Sequence, residues 1–312
     1  MTVGTKEPRL QIAGASDVRG RLMLVLLCFI WGFTWPIMKI ALDEIPPLSM
    51  RTSTAAVSAL TLFVICVVQR RSFGLPNART WGHVFIASLL NIVAFSLCSA
   101  FAQIAAATSR VSILAYTLPV WTLLFAWLVL GERPNRLQWI AVGSCVVGLA
   151  VLVGPLATTG IPLGLVLAVG SGVSWAAGTV YLKWARIEAD PMAVTSWQLT
   201  IAFFVIAACL FMFDGGLDLH AAHVDGLLAV AFAGIIGNAV AYVLWFEIVR
   251  RLSAATASLG ILGIPVISVI ATMLILGERP TTTDLIGFAF IFAASACVLL
   301  APQARGGGSA SG

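Results

Sequence analysis

Two stretches of this chain repeat each other about 145 residues apart, and that repeat limits the possible folds more than any other feature. Trp31 corresponds to Trp175 and Lys39 to Lys183, each 144 residues further on. Pro119 corresponds to Pro265, and Leu130-Gly131-Glu132-Arg133-Pro134 returns as Leu276-Gly277-Glu278-Arg279-Pro280, both 146 residues further on. Nearly everything between these landmarks is apolar. Hydrophobic residues make up 60% of the chain and charged residues 10%, with a mean hydropathy of +1.02. Soluble domains carry about 25% charged residues. Duplicated membrane units are typical of small-solute carriers, whose site lies where the copies meet.

A membrane-spanning helix needs about 20 mostly apolar residues. Ten such runs are expected, near 22–42, 48–68, 81–103, 109–130, 137–154, 162–184, 191–212, 226–249, 254–276 and 284–301. Turn-forming or charged residues separate them. The weakest break, at Thr108-Ser109-Arg110, lies between the third and fourth. If the N-terminus is cytoplasmic, 14 of the 18 lysines and arginines fall on cytoplasmic segments; only Lys39, Arg51, Arg110 and Arg279 lie at outer ends. The positive-inside rule selects this orientation, and ten spans return the C-terminus to the cytoplasm. Trp81, Trp139 and Trp184 then fall at cytoplasmic span ends, where an indole is half wet.

Five spans per copy is an odd number, so the second copy is expected upside down relative to the first. The expected fold is therefore an all-α membrane bundle of ten transmembrane helices with a 5+5 inverted repeat. Residues 1–21 form a cytoplasmic tail, 22–154 the first copy, 155–302 the second and 303–312 a C-terminal tail. From Gly306 that tail reads as a flexible linker.

Polar and aromatic groups at mid-membrane are the informative ones, because lipid offers them no hydrogen bonds. Asn91 and Asn238 lie near the middle of the third and eighth spans, which are matching helices. Each reads as a helix-to-helix bond or as part of a cavity. Trp31 and Trp175 fall near mid-span, as core packing or as apolar walls of a pocket. Tyr116, Tyr242 and Trp245 extend that aromatic set. Ser112 and Ser258 place hydroxyls on the fourth and ninth spans. Pro119 and Pro265 lie in the same two spans, and each leaves one backbone carbonyl without its helical partner. That carbonyl is satisfied locally or faces a solute.

Several absences narrow the chemistry. Among 13 acidic residues only Glu247 lies clearly within a span, near its cytoplasmic end. His83, His220 and His223 are outside the spans or at their edges. No proton relay is evident, so facilitated transport is the first expectation. The six cysteines form no C-x-x-C pair and read as small buried hydrophobes. No metal or other cofactor is expected, and an intramembrane enzyme, which needs a nucleophile, base or metal constellation, is only a distant alternative. The net charge of +5 reflects the cytoplasmic loops and is no sign of a nucleic-acid partner. No buried arginine is expected to clamp a carboxylate.

Phe29-Ile30-Trp31-Gly32-Phe33-Thr34-Trp35-Pro36, with Lys39, resembles the first-span pattern of the EamA-type transporters. Leu118-Pro119 followed by the Leu-Gly-Glu-Arg-Pro string is similar to their fourth-span signature, which returns from Ile264-Pro265. The resemblance runs from residue 20 to 302. It implies a bundle of the drug/metabolite transporter superfamily with a central cavity lined mainly by helices 1, 3, 4, 6, 8 and 9. It also implies export of amino acids or other metabolites. The second copy departs at Ala176-Ala177-Gly178, where the first has Gly32-Phe33-Thr34. The resulting expectation is an inner-membrane exporter of neutral and aromatic amino acids with broad specificity, working by alternating access. The alternative is an exporter of drugs, quaternary ammonium compounds or another small metabolite. The expected partners are the lipid bilayer and a small-molecule substrate; the oligomeric state is open, and a monomer is plausible.

Overall fold

A computed structural model describes residues 18–154, 162–252 and 260–300. Every regular element among them is helical, with no strand. The helices are α1 Val18–Glu44, α2 Pro47–Val68, α3 Ala78–Ala105, α4 Thr108–Leu130, α5 Arg136–Val153, α6 Leu163–Ala185, α7 Pro191–Phe213, α8 Val224–Arg251, α9 Gly263–Leu276 and α10 Thr282–Leu299. Nine are long and apolar enough to cross a membrane, and α9 is a shorter apolar helix whose preceding segment, 253–259, lies outside the described residues. Ser258 falls in that segment. These helices correspond to the ten expected runs, with ends displaced by up to four residues except at α9, whose described helix begins at Gly263 where the run is expected from 254.

Large apolar side chains cover the outside: Leu128, Phe204, Phe211 and Leu274 are each at least 66% exposed. In water that surface would aggregate, but against lipid it costs nothing. The interior combines large apolar side chains such as Leu27, Leu62 and Ile206 with small and polar residues. Gly32 of α1 meets Ile267 of α9, and Gly172 of α6 meets the Ala115 carbonyl of α4, each leaving no room for a Cβ. Close helix approach through small residues is how membrane bundles gain dispersion energy when lipid removes the hydrophobic drive.

The two sequence copies interlock rather than stand side by side. α1 packs along α9 and α8, while α6 packs along α4 and α3, the corresponding helices of the other copy. α2 lies on α7, and α5 on α10. Each pairing therefore has its counterpart when the copies are exchanged.

Local chemistry sets the helix ends. α4 and α9 both end in a left-handed glycine, Gly131 (φ 72°) and Gly277 (φ 67°), a conformation that glycine adopts without strain. α5 begins with a capping box, Asn135 with Gln138. α10 begins with its counterpart, Thr281 with Asp284. The weak break before α4 has a physical explanation. Its N-cap is Ala107, which has no side chain able to cap. The missing acceptors come from Glu278, 170 residues away, whose carboxylate accepts from the backbone N–H groups of Thr108 (2.7 Å) and Ser109 (2.9 Å).

Two departures from regular α-helix occur in matching places. α3 contains π-helical turns at Leu89–Ala94, and α8 contains them at Ala233–Val240. Each holds one of the paired asparagines. α4 is broken at Tyr116–Thr117, and the chain turns again at Ile261–Leu262 before α9. Both breaks lie just before the corresponding proline, which removes one hydrogen bond and crowds the preceding turn.

Candidate functional site

Trp35 of α1, Phe95 of α3, Tyr116 of α4 and Trp175 of α6 form a chain of ring contacts near the centre of the bundle. Phe95 stands edge-on to Trp175 at 4.9 Å and to Trp35 at 6.4 Å, and Trp35 lies 6.4 Å from Tyr116. Tyr116 also packs against a second group, where Trp31 lies 6.1 Å from Trp245 of α8 beside Ile264 of α9. Helices α1, α3, α4, α6, α8 and α9 thus converge on Tyr116.

One side of α3 supplies the polar groups. Asn91, Phe95, Ser99 and Gln103 recur every fourth residue, the spacing that keeps side chains near one helical face. Asn91 is 7% exposed, and its Oδ1 has no hydrogen-bond partner among the described residues. It faces Gly178 of α6, where an added Cβ would come within 2.0 Å of that oxygen. Gln103 is 1% exposed; its Nε2 donates to the Trp35 carbonyl (3.0 Å), and its Oε1 has no partner among the described residues.

Opposite Ser99 lies Arg51 of α2. The sequence places it among outer-end charges, and no buried arginine was expected as a carboxylate clamp; the structure overturns that reading. Arg51 is 5% exposed. It begins only one turn inside α2, but its side chain points inward between α1 and α3. There Nη2 donates to Ser99 Oγ (2.8 Å) and Nη1 to Met38 Sδ (3.5 Å). Among the described residues its Nε has no partner, and its only side-chain hydrogen bonds are with the Ser99 hydroxyl and the Met38 thioether.

The remaining sequence candidates divide. Trp31 is anchored: its indole N–H donates to the Gly237 carbonyl (3.0 Å) in the π-helical part of α8, where wide turns free carbonyls. Asn238 turns away from the centre and donates to Ser58 Oγ of α2 (2.9 Å). Tyr242 packs with the α2–α7 side of the bundle. Ser112 is fully buried and returns its hydroxyl to the Ser109 carbonyl (2.9 Å). Side chains of other helices also take carbonyls near the prolines. Ser295 of α10 donates to Tyr116 O (3.2 Å), and the Cys28 thiol donates to Gly260 O (3.2 Å). The structure therefore brings Trp31, Asn91, Tyr116 and Trp175 toward the convergence, with Pro119 and Pro265 shaping α4 and α9 around it. Asn238, Tyr242 and Ser112 serve other contacts. Trp35, Phe95, Ser99, Gln103 and Arg51 are additional, and the four-residue spacing along α3 is the sequence signal that marks three of them.

The two ends of the bundle differ. At the Glu278 end, the double cap on α4 is joined by Arg110 and Asp284, which pair through two contacts of 2.5 and 3.1 Å. At the opposite end, Glu132 pairs with Lys183 at 2.5 Å, with both side chains more than half exposed. A cavity of about 360 Å³ also opens at this end, between α1, α2, α7 and α8. Arg19, Arg71, Asp190, Glu247 and Arg250 are among the residues lining it. Its charged rim lies apart from the aromatic convergence.

The sequence profile of the EamA-like transporter family matches residues 18–154 and again 162–300. The Bacillus subtilis protein named uncharacterized transporter YvbV is 27% identical over 288 residues, covering 90% of this chain and 91% of that one. The Escherichia coli protein named uncharacterized inner membrane transporter YedA is 23% identical, covering 75% and 76%. Protein PecM of Dickeya dadantii is 26% identical, covering 85% and 87%. A solved crystal structure shares the fold with a TM-score of 0.63 at 20% identity, covering 91% of this chain and 99% of that one. With its two matched copies and apolar helices, the chain is a multi-pass membrane protein that belongs to the EamA-like transporter family of the drug/metabolite transporter superfamily.

Proposed function

We propose that this transporter exports neutral and aromatic amino acids across the inner membrane by alternating access, with both termini cytoplasmic. The aromatic convergence on Tyr116 carries the reading. It joins helices of both copies, offers ring faces and edges to an apolar side chain, and has unpartnered polar atoms beside it on α3. Ring contacts of this kind are worth about 0.5–1.5 kcal/mol each beyond their buried area. That suits weak, permissive binding of varied side chains.

The difference between the ends supports alternating access. Two charge-assisted contacts close the Glu278 end, while the charged cavity opens at the other. With the cytoplasmic orientation inferred from loop charge, the closed end faces outward. A quaternary ammonium substrate is disfavoured, because the charge buried between α1 and α3 belongs to Arg51 rather than to a carboxylate. Counterflow in proteoliposomes tests the proposal. Unlabelled phenylalanine or leucine inside is expected to accelerate uptake of the same labelled amino acid. No exchange across the neutral and aromatic set would rule this substrate class out.

A further inference from the structure

Arg51 presents an unsolved electrostatic problem. A guanidinium carries five N–H donors and keeps its charge in a protein. Here two donors are engaged, one by a hydroxyl and one by a thioether, and Nε is buried without a partner among the described residues. Removing a charge from water costs several kcal/mol unless a counter-charge compensates. Neither Met38 nor Ser99 carries one. The second copy does not repeat the feature. Pro47 and Pro191 begin α2 and α7, and counting four residues from each pairs Arg51 with Thr195. The cation is therefore particular to one half of the transporter, at the end that Glu278 closes.

The neighbouring groups complete a recognisable chemistry. Gln103 lies one turn beyond Ser99, about 6 Å along the helix at 1.5 Å per residue. Its amide contacts Trp35 on the same turn of α1 that presents Met38 to Arg51, and its Oε1 is an unused acceptor. A buried cation with a free donor edge, a free acceptor about one helical turn away and the Trp35–Phe95–Trp175 rings beyond are complementary to one kind of molecule. It has a carboxylate, an ammonium close to it and an apolar side chain.

We propose that Arg51 is the carboxylate anchor of the transported solute, with Gln103 Oε1 accepting from the solute's ammonium. This rests on the amino-acid reading and deepens it. The anchor is closed off in the present arrangement, and the solute meets it when the Glu278 end opens. A carboxylate then supplies the counter-charge that Met38 and Ser99 lack, in the forked geometry for which guanidinium is suited.

The test uses the full-length protein in detergent and reads ligand-induced shifts in melting temperature. The probes are phenylalanine, phenethylamine, which lacks the carboxylate, and 3-phenylpropionate, which lacks the ammonium. The wild type is expected to respond to phenylalanine at concentrations at least tenfold below those needed for phenethylamine. In R51M that preference should fall to within twofold, while the ligand-free melting temperature stays level or rises, because an uncompensated charge has been removed. A merely structural arginine predicts the opposite, a lower melting temperature with the preference intact, and that result overturns the anchor. If R51M is not recovered folded, R51K serves instead: it keeps the charge but loses the fork, so the preference should shrink without vanishing, and an unchanged preference overturns the anchor. An Arg51-dependent response to 3-phenylpropionate with none to phenylalanine would retain the anchor and overturn the amino-acid reading. Phenylalanine binding that ignores Arg51 would do the reverse. A wild type that prefers none of the carboxylates over phenethylamine also overturns the anchor.

Discussion

The two Gly-Glu-Arg-Pro loops share their sequence and their local geometry but hold different partners. Both follow a left-handed glycine and lead into a capping box. Glu278 reaches across to cap α4, where the local sequence offers only alanine; Glu132 pairs with an exposed lysine. The box residues differ as well. Gln138 is neutral and serves its own helix alone, whereas Asp284 caps α10 and also takes the Arg110 guanidinium. One motif thus forms a closed contact at one end and a loose one at the other. An alternating-access carrier needs that asymmetry at any moment, and its two copies must be able to exchange it.

The largest effect is expected from breaking the stronger contact. Asp284→Asn leaves Arg110 without its charge partner and should cost about 2–3 kcal/mol, less than for a fully buried pair because Arg110 is partly exposed. Thermal unfolding in detergent measures it; a loss below 1 kcal/mol would mean that Arg110–Asp284 does not hold this end closed. Next comes Gly178→Ala, whose Cβ would collide with Asn91 and cost about 1–3 kcal/mol by overpacking. If N91A restores the stability of that variant, the contact is confirmed as the cause. Glu278→Ala should cost about 1–2 kcal/mol through loss of the α4 cap, whereas Glu132→Ala should cost about 0.5 kcal/mol or less, as exposed pairs do. Equal losses at both glutamates would abolish the distinction between the ends. A similarly small effect separates the asparagines. Asn238→Ala loses one interhelical bond worth about 0.6 kcal/mol, with transport kept. Asn91→Ala removes an unpartnered acceptor, so stability should hold while the counterflow rate falls.

The architecture is readable from the chain because spans and repeats leave long, redundant patterns. Ten apolar runs, the paired prolines and the recurring Gly-Glu-Arg-Pro string each report the fold separately. The site is less legible because it depends on which way single side chains turn. Asn91 and Asn238 occupy matching places, yet one faces Gly178 and the other bonds Ser58. The difference arises in their neighbours. α6 presents a bare glycine to Asn91, while α1 presents Thr34 against Gly237, beside Asn238. That substitution is visible in the sequence as Thr34 against Gly178, but its consequence needs the packing. Arg51 was hidden for another reason. A cation one turn from a helix end normally reaches for the interface, and only the placement of Ser99 and Met38 shows that this one turns inward.

The π-helical turns in α3 and α8 also bear on how these helices can change length. A π-helical bulge takes up one residue more than the α-helix around it and leaves the helix on either side in register. Deleting one residue other than Asn91 between Leu89 and Ala94 would therefore let the helix close into regular α pairing, with Phe95, Ser99 and Gln103 still facing Trp175, Arg51 and Trp35. Deleting one residue in the regular part that follows, between Phe95 and Ser99, would instead rotate what lies beyond by about 100°, the angle per residue of a 3.6-fold helix. Ser99 and Gln103 would then leave Arg51 and Trp35. The bulge works as slack: it absorbs a change of length that the rest of α3 would pass on as a rotation.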